Sequence, residues 1–146
     1  MEKARPVLKP LSSAILHMGP LGSASTLKLA MNVNIAGIAQ TLCESLALCR
    51  GAGIPDDVYF GALASNIAHS GVSDLKAPKL RQHEYSTQFS LKNMAKDLRL
   101  ALETAADFSL SLDQTTRLKS IYDQGITAGW SNDDFIGLMR LLDKRA

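Results

Sequence analysis

The chain's 146 residues predict an all-helical bundle around one long central helix, with a short N-terminal fringe of α/β character. Three observations carry that prediction. From about Ser25 to Arg50, the apolar residues Leu27, Met31, Ile35, Ile38, Leu42, Leu46 and Cys49 recur at spacings of three or four, the period of a helix face. No stretch after residue 20 alternates long enough to make a strand. Aromatic residues are only 5% of the chain while Ala and Leu abound, a bias toward helices packed closely through small side chains. With 46% apolar and 21% charged residues, the composition is that of a globular chain, and the length suits one core rather than two.

At the N-terminus, Pro6 and Pro10 limit any helix over residues 2–9 to a short one, and "AILHMG" reads as a short strand running into Gly19. Neither has a partner in the rest of the sequence. The long helix carries a second seam of small residues, Ala36, Ala39, Cys43 and Ala47, so two apolar faces predict a helix buried between neighbours. Its 26 residues span about 39 Å at 1.5 Å each. Gly51 and Gly53 end it. The following "GAGIPDD" is no nucleotide loop, because it follows a helix and Pro55 interrupts the turn. Pro55, Asp56 and Asp57 suit the first turn of a second helix that runs to Ala64. Residues 66–88 give no clear periodicity, and Lys76, Lys79 and Arg81 read as a solvated face. A third helix starts near Ser90, with Leu91, Met94, Ala95, Leu98, Leu102 and Ala105 inward and Lys92, Lys96, Arg99 and Glu103 outward. A fourth covers about Leu112 to Gln124, and Ser131 with Asp134 forms a capping-box-like start to "FIGLMRLL".

The formal charge of +2 is spread along the chain, where a dedicated nucleic-acid surface shows a clustered patch. Nucleic-acid binding through Lys76, Lys79, Arg81, Lys92 and Lys96 is the weaker alternative, and steep salt dependence is its mark. Cys43 and Cys49 lie roughly 120° apart around one helix and cannot pair there, which reads as reduced thiols in a cytoplasmic protein. His17, His69 and His83 have no metal-ligand spacing, so no metal is expected. No apolar run reaches the length of a membrane span, and "MEKARPVLKPLSS" lacks the apolar core of a signal peptide.

The segment "GPLGSASTLKLAMN" places Lys28 and Asn32 one helical turn apart near the start of an otherwise small and apolar helix. Spacing alone allows two readings. Lys28 is either a solvated first-turn lysine beside an Asn that bonds locally, or a cation held in a covered cleft, able to give a proton or stabilise a developing oxyanion while Asn32 orients it. Gly19 and Gly22 suit a close approach of ligand or domain to the backbone.

That segment resembles the start of the C-terminal helical domain of the beta-hydroxyacid dehydrogenase family, which includes 3-hydroxyisobutyrate dehydrogenase and the tartronate semialdehyde, glyoxylate and succinic semialdehyde reductases. A second stretch, "FSLKNMAKDLRLALETA", resembles the family's Phe-x-Leu segment followed by Lys-Asp-Leu. The resemblance covers essentially the whole chain, although Ala24 stands where a further Gly is common. It implies Lys28 as catalytic lysine with Asn32 as its substrate-orienting companion, Gly22, Ser23, Phe89 and Asp97 at the substrate, and Lys96 at the coenzyme. It also implies that residues 1–18 are the end of an N-terminal Rossmann domain otherwise missing here, and that residues 19–146 are a helical substrate and dimerisation domain. The parent so implied transfers hydride between NAD or NADP and a small hydroxyacid, with Lys28 exchanging the proton at a pKa brought toward neutrality by desolvation. The isolated chain is then expected to be inactive, to hold no coenzyme tightly, and to form a homodimer. A non-catalytic helical dimerisation module is the alternative.

Overall fold

In the computed structural model, which describes residues 4–143, the architecture is helical and no strand forms among the described residues. A four-residue helix α1 (Arg5–Leu8) with Pro6 in its first turn leads into a 3-10 turn, Lys9–Leu11, and neither buries a residue. The strand expected at "AILHMG" is not formed. Strands take their backbone hydrogen bonds from a neighbouring strand, and the described residues supply none. Glu2 and Lys3 of the expected first turn lie outside the described residues.

Helix α2 (Ser23–Gly51) has 29 residues, about 44 Å of axis, and is the element around which the others pack. Its seam of small residues is covered: Ala36, Ala39 and Cys43 are buried together with Leu42 and Leu46. The expectation that both faces are buried is corrected, since Leu27, Met31 and Ile38 remain 39%, 48% and 39% exposed. Small side chains let the neighbours pack closely on the alanine seam, and the larger seam is covered only where they reach it, at Leu42 and Leu46. Gly53, at φ +76°, supplies the left-handed turn after the helix, where Ile54 N–H donates to the Cys49 carbonyl.

Helix α3 (Asp56–Ala64) opens with its two aspartates in the first turn, as expected, and buries Phe60. The unassigned stretch contains α4 (Gly71–Gln82), started by a reciprocal Ser70–Ser73 capping box and carrying Pro78 inside it. Its inward side is largely polar, which is why no apolar period announces it. The solvated-face reading of Lys76 and Lys79 is wrong: they are 1% and 7% exposed, while Arg81 is exposed. Two of the five cations offered for nucleic acid are therefore inside the fold.

Helix α5 (Leu91–Asp107) turns most of its leucines and alanines to the core and its charged residues outward, except the buried Asp97, and α6 (Asp113–Thr127) packs on it. "FIGLMRL" is a 3-10 segment, Phe135–Leu141, with its first five residues buried. Its cap is Asp134, whose carboxylate accepts from Ile136 N–H at 3.1 Å, in place of the expected Ser131 box. The core joins Leu46, Leu80, Leu91, Leu98, Tyr122, Ile136 and Met139, each at 0% exposure.

At the far end of α2, Arg50 ties four parts of the chain. Its guanidinium donates to both Asp56 oxygens at 2.9 and 2.6 Å, to the Leu80 carbonyl at 3.0 Å and to Asp143 at 3.1 Å. Both cysteines are free thiols; burial pushes the Cys43 thiol up to about 12. No helix among the described residues is long and apolar enough to cross a membrane.

Candidate active site

The first turns of α2 run beside the first half of α5, and this brings together residues far apart in sequence. Lys28 Nζ donates to Asp97 Oδ2 at 2.5 Å, and Asn32 Nδ2 donates to the same oxygen at 2.6 Å. The i, i+4 spacing on α2 stacks the two donors over one acceptor on α5. Lys96 Nζ lies 3.3 Å from the other oxygen, Oδ1. Asp97 itself is 1% exposed, whereas the side chains of Lys28 and Lys96 are 54% and 52% exposed. A buried carboxylate thus holds two half-solvated ammonium groups and an amide. Burial pushes the Asp97 carboxyl up, but hydrogen bonds from Lys28, Asn32 and Lys96 outweigh it, and its net position is below the ordinary carboxylate value.

The sign of that shift fixes a pH dependence. A carboxyl whose folded pKa lies below its unfolded one contributes stability that is fully present above about pH 4 and is lost as the pH falls through the folded value. Wild type is expected to weaken below about pH 4, with Asp97→Asn less stable at neutral pH and lacking that part of the decline. Urea titrations from neutral to acid pH check this. The comparison matters because Glu84, held down at about 2 by Lys79 and Ser86, titrates in the same direction and is common to both proteins.

The remaining predicted residues are placed in two groups. Gly22, at φ +98°, precedes α2, and Ser23 is its first residue; no side chain caps this N-terminus, so the first-turn amides meet no side-chain acceptor. Phe89 is set in a different network. Its ring packs edge-on to Phe135 at 6.3 Å and its N–H donates to Asp134 at 3.2 Å. Sequence reasoning missed the network to which Phe89 belongs, centred on Lys76 and Asp134. No sequence signal announced it, because Lys76 and Asp134 stand 58 residues apart. Among the described residues no group of three or more His, Cys, Asp or Glu side chains could hold a metal ion.

A lysine that gives up its proton near neutral pH calls for desolvation. The described residues leave the Lys28 side chain half exposed.

Comparison with known proteins gives this geometry its context. The family model described as the NAD-binding domain of NADP-dependent 3-hydroxyisobutyrate dehydrogenase matches residues 22–142. The chain belongs to that family. Its relatives include glyoxylate/succinic semialdehyde reductase 2, chloroplastic, of Arabidopsis thaliana, 26% identical over 97% of this chain and 39% of the relative. An uncharacterised oxidoreductase of Synechocystis sp. is 32% identical over 87% of this chain and 46% of its own length. The chain thus spans less than half the length of these two curated relatives. Among solved structures, 3-hydroxyisobutyrate dehydrogenase of Mycobacterium tuberculosis, with L-serine, superposes at a TM-score of 0.89 over 99% of this chain and 51% of that one, at 23% identity. The fold is that of the C-terminal half of 3-hydroxyisobutyrate dehydrogenase-like proteins. The second family-like motif and the first from Gly22 onward fall inside the matched residues, and Lys28, Asn32 and Asp97 are the points at which they touch.

Proposed function

We propose that this 3-hydroxyisobutyrate dehydrogenase family chain is the catalytic helical half of an NAD(P)-dependent oxidoreductase acting on a small hydroxyacid or its semialdehyde or keto form. The observation that carries the reading is the Lys28–Asn32–Asp97 cluster, drawn from positions 65 and 69 residues apart. The nicotinamide coenzyme, when bound, supplies or takes the hydride. In reduction Lys28 Nζ gives a proton to the carbonyl oxygen as the carbon takes the hydride, and in oxidation the same nitrogen accepts the hydroxyl proton. Asp97 fixes the lysine by one of its three N–H bonds, leaving the others to the reacting oxygen. Asn32 spends its amide N–H on Asp97, so its carbonyl oxygen is the group suited to a substrate hydroxyl. The first-turn amides that follow Gly22 and Ser23, at the positive end of α2, suit the substrate carboxylate from Ala24 onward, Ser23 N–H being taken by the Pro20 carbonyl at 3.1 Å. Phe89, set by the neighbouring Lys76–Asp134 network and not by the cluster, is the residue proposed for a wall of the cleft.

This chain's own contact with NAD or NADP would be Lys96, whose half-exposed ammonium stands at the rim beside Asp97. The rest of the coenzyme's binding belongs to a dinucleotide-binding domain, of which residues 1–18 are the trailing edge, with residues 19–146 as the substrate and dimerisation domain. That domain, closing with the substrate over Lys28, provides the desolvation proton transfer calls for. The free thiols of Cys43 and Cys49 support a reducing, cytoplasmic setting.

The test of the reading is steady-state kinetics across pH on Lys28 variants of a protein that has both halves. The chain alone is expected to show no turnover and to bind either coenzyme no more tightly than millimolar. Calorimetric titration measures this; a micromolar dissociation constant, about 8 kcal/mol of binding, would contradict the division of labour.

A second property has its own support. Leu27, Met31 and Ile38 stay outward on α2, and a groove of about 420 Å³ runs along the same helix past Val33, Gly37, Ile38 and Thr41. We infer a homodimer packed across a two-fold axis on this face, since large apolar side chains grouped at a surface favour association. Sedimentation at micromolar concentration is expected to show the dimer, and a persistent monomer would remove it.

A further inference from the structure

The ion pair inside the fold has an arrangement that stability alone does not explain. Lys76 and Asp134 are 1% and 0% exposed. Lys76 Nζ donates to both Asp134 oxygens at 2.9 Å and to Gln88 Oε1 at 3.0 Å, and stands 4.5 Å over the Phe135 ring. Asp134 Oδ2 also accepts from the backbone N–H groups of Gln88 and Phe89, at 3.0 and 3.2 Å. Replacing such a pair by apolar residues is often neutral or stabilising, so its retention calls for another reason.

Geometry supplies one. The segment before α5 is irregular, and the Asp134 carboxylate satisfies two amides there that no helix or sheet takes up. On either side, Asp134 N–H donates to the Tyr85 carbonyl at 2.9 Å and Phe135 N–H to the Phe89 carbonyl at 3.1 Å. The start of α5 is held by the same C-terminal segment: Leu91 N–H donates to the Asp133 carbonyl at 2.9 Å and Lys92 N–H to that of Ser131 at 3.0 Å. Ser90, the residue before α5, does not cap it with its side chain. Lys76 therefore binds α4 to a latch that fixes both Phe89 and the first turn of α5. Asp97 follows Leu91 by six residues on one rigid helix, about 9 Å along the axis.

We propose that Lys76 and Asp134 are positioning residues: their pair sets Phe89 and the placement of α5 along α2, so that Asp97 meets Lys28 and Asn32. This deepens the reading of Lys28, Asn32 and Asp97 as the reacting cluster and rests on it for its catalytic meaning. Its mechanical content can be tested on the chain itself.

The readout is the ¹⁵N signal of the Lys28 ammonium, whose bond to Asp97 is expected to slow the exchange of its protons with water; Asp97→Asn identifies the signal by abolishing that slowing. Lys76→Met leaves a buried carboxylate unpaired and is liable to unfold the chain, so the informative variants are Asp134→Asn and the charge-free pair Lys76→Met/Asp134→Asn. In both, Lys28 proton exchange is expected to quicken about tenfold, the worth of one lost hydrogen bond. Leu118→Ala, a core truncation on α6 away from the latch, is expected to leave it unchanged. A folded double variant with wild-type exchange overturns the proposal, as does equal quickening in Leu118→Ala, which would mean general loosening. Normal turnover in a Lys28→Ala enzyme would sink the catalytic reading alone, because the coupling between latch and Lys28 is read without turnover.

Discussion

Lys28→Ala, in a protein carrying both this helical half and a dinucleotide-binding domain, is expected to bind coenzyme as before and to lose turnover by roughly 100- to 10,000-fold, the usual worth of a positioned acid or base. Lys28→Arg is expected to recover little. Arginine keeps the charge and can still pair with Asp97, but it holds its proton above about pH 12 and cannot readily complete the transfer. Asn32→Ala should be milder, with the loss in kcat and little change in coenzyme affinity, because Asp97 still holds the lysine. Steady-state kinetics across pH decide among these. Near-normal kcat in Lys28→Ala would make Lys28 a solvated first-turn lysine with a structural ion pair. Near-normal kcat in Lys28→Arg alone would keep the site and replace proton transfer by charge stabilisation.

A large loss of stability from a single substitution is also expected at Arg50, away from the site and the Lys76–Asp134 pair. Its side chain is 8% exposed and joins the end of α2 to Asp56 at the start of α3, to the Leu80 carbonyl on α4 and to Asp143 near the C-terminus. Arg50→Met keeps most of the stem and removes every one of those bonds. Breaking a buried pair costs about 3–5 kcal/mol. The lower figure applies, because Asp56 is 25% exposed and regains water when the guanidinium goes. About 3 kcal/mol corresponds to roughly 6 to 12 °C in melting temperature for a chain of this size. Arg50→Lys should fall between, since one ammonium cannot span three partners with a planar fork's geometry. Thermal melts and urea titrations measure both; a change under about 1 kcal/mol would mean that solvent screens the hub as it does a surface pair.

The parts of the fold that could be read from the sequence are those whose burial is written in apolar periodicity. Helices α2 and α5 show a leucine and alanine period, and their positions follow to within a residue or two. Helix α4 was illegible because the residues it turns inward include Ser73, Lys76 and Lys79, whose types signal solvent. A lysine is buried only where a partner awaits it, and Asp134 is 58 residues away, beyond any local pattern. The same limit applied at the site. Lys28 and Asn32 are visible as a pair because helical spacing joins them. That Asp97 closes on both depends on how α5 packs against α2, which only the folded chain displays. The exposure of Leu27 and Met31 was hidden for the opposite reason: their period is helical and continues to the buried Leu42 and Leu46, but period does not say how far along a helix the neighbours reach.

Burial along α2 begins at Ala36, and no residue from Ser23 to Ile35 is buried. The free energy of local unfolding therefore falls from the Leu46 end toward the Ser23 end, as it does wherever packed contacts thin out along an element. Lys28 and Asn32 ride on the end that frays at least cost, pinned across to α5 by the Asp97 carboxylate. A substrate or a second domain that engages only the wound form adds its binding energy to that weak end by mass action. For such a partner, winding of the first turns of α2 and binding would be a single equilibrium.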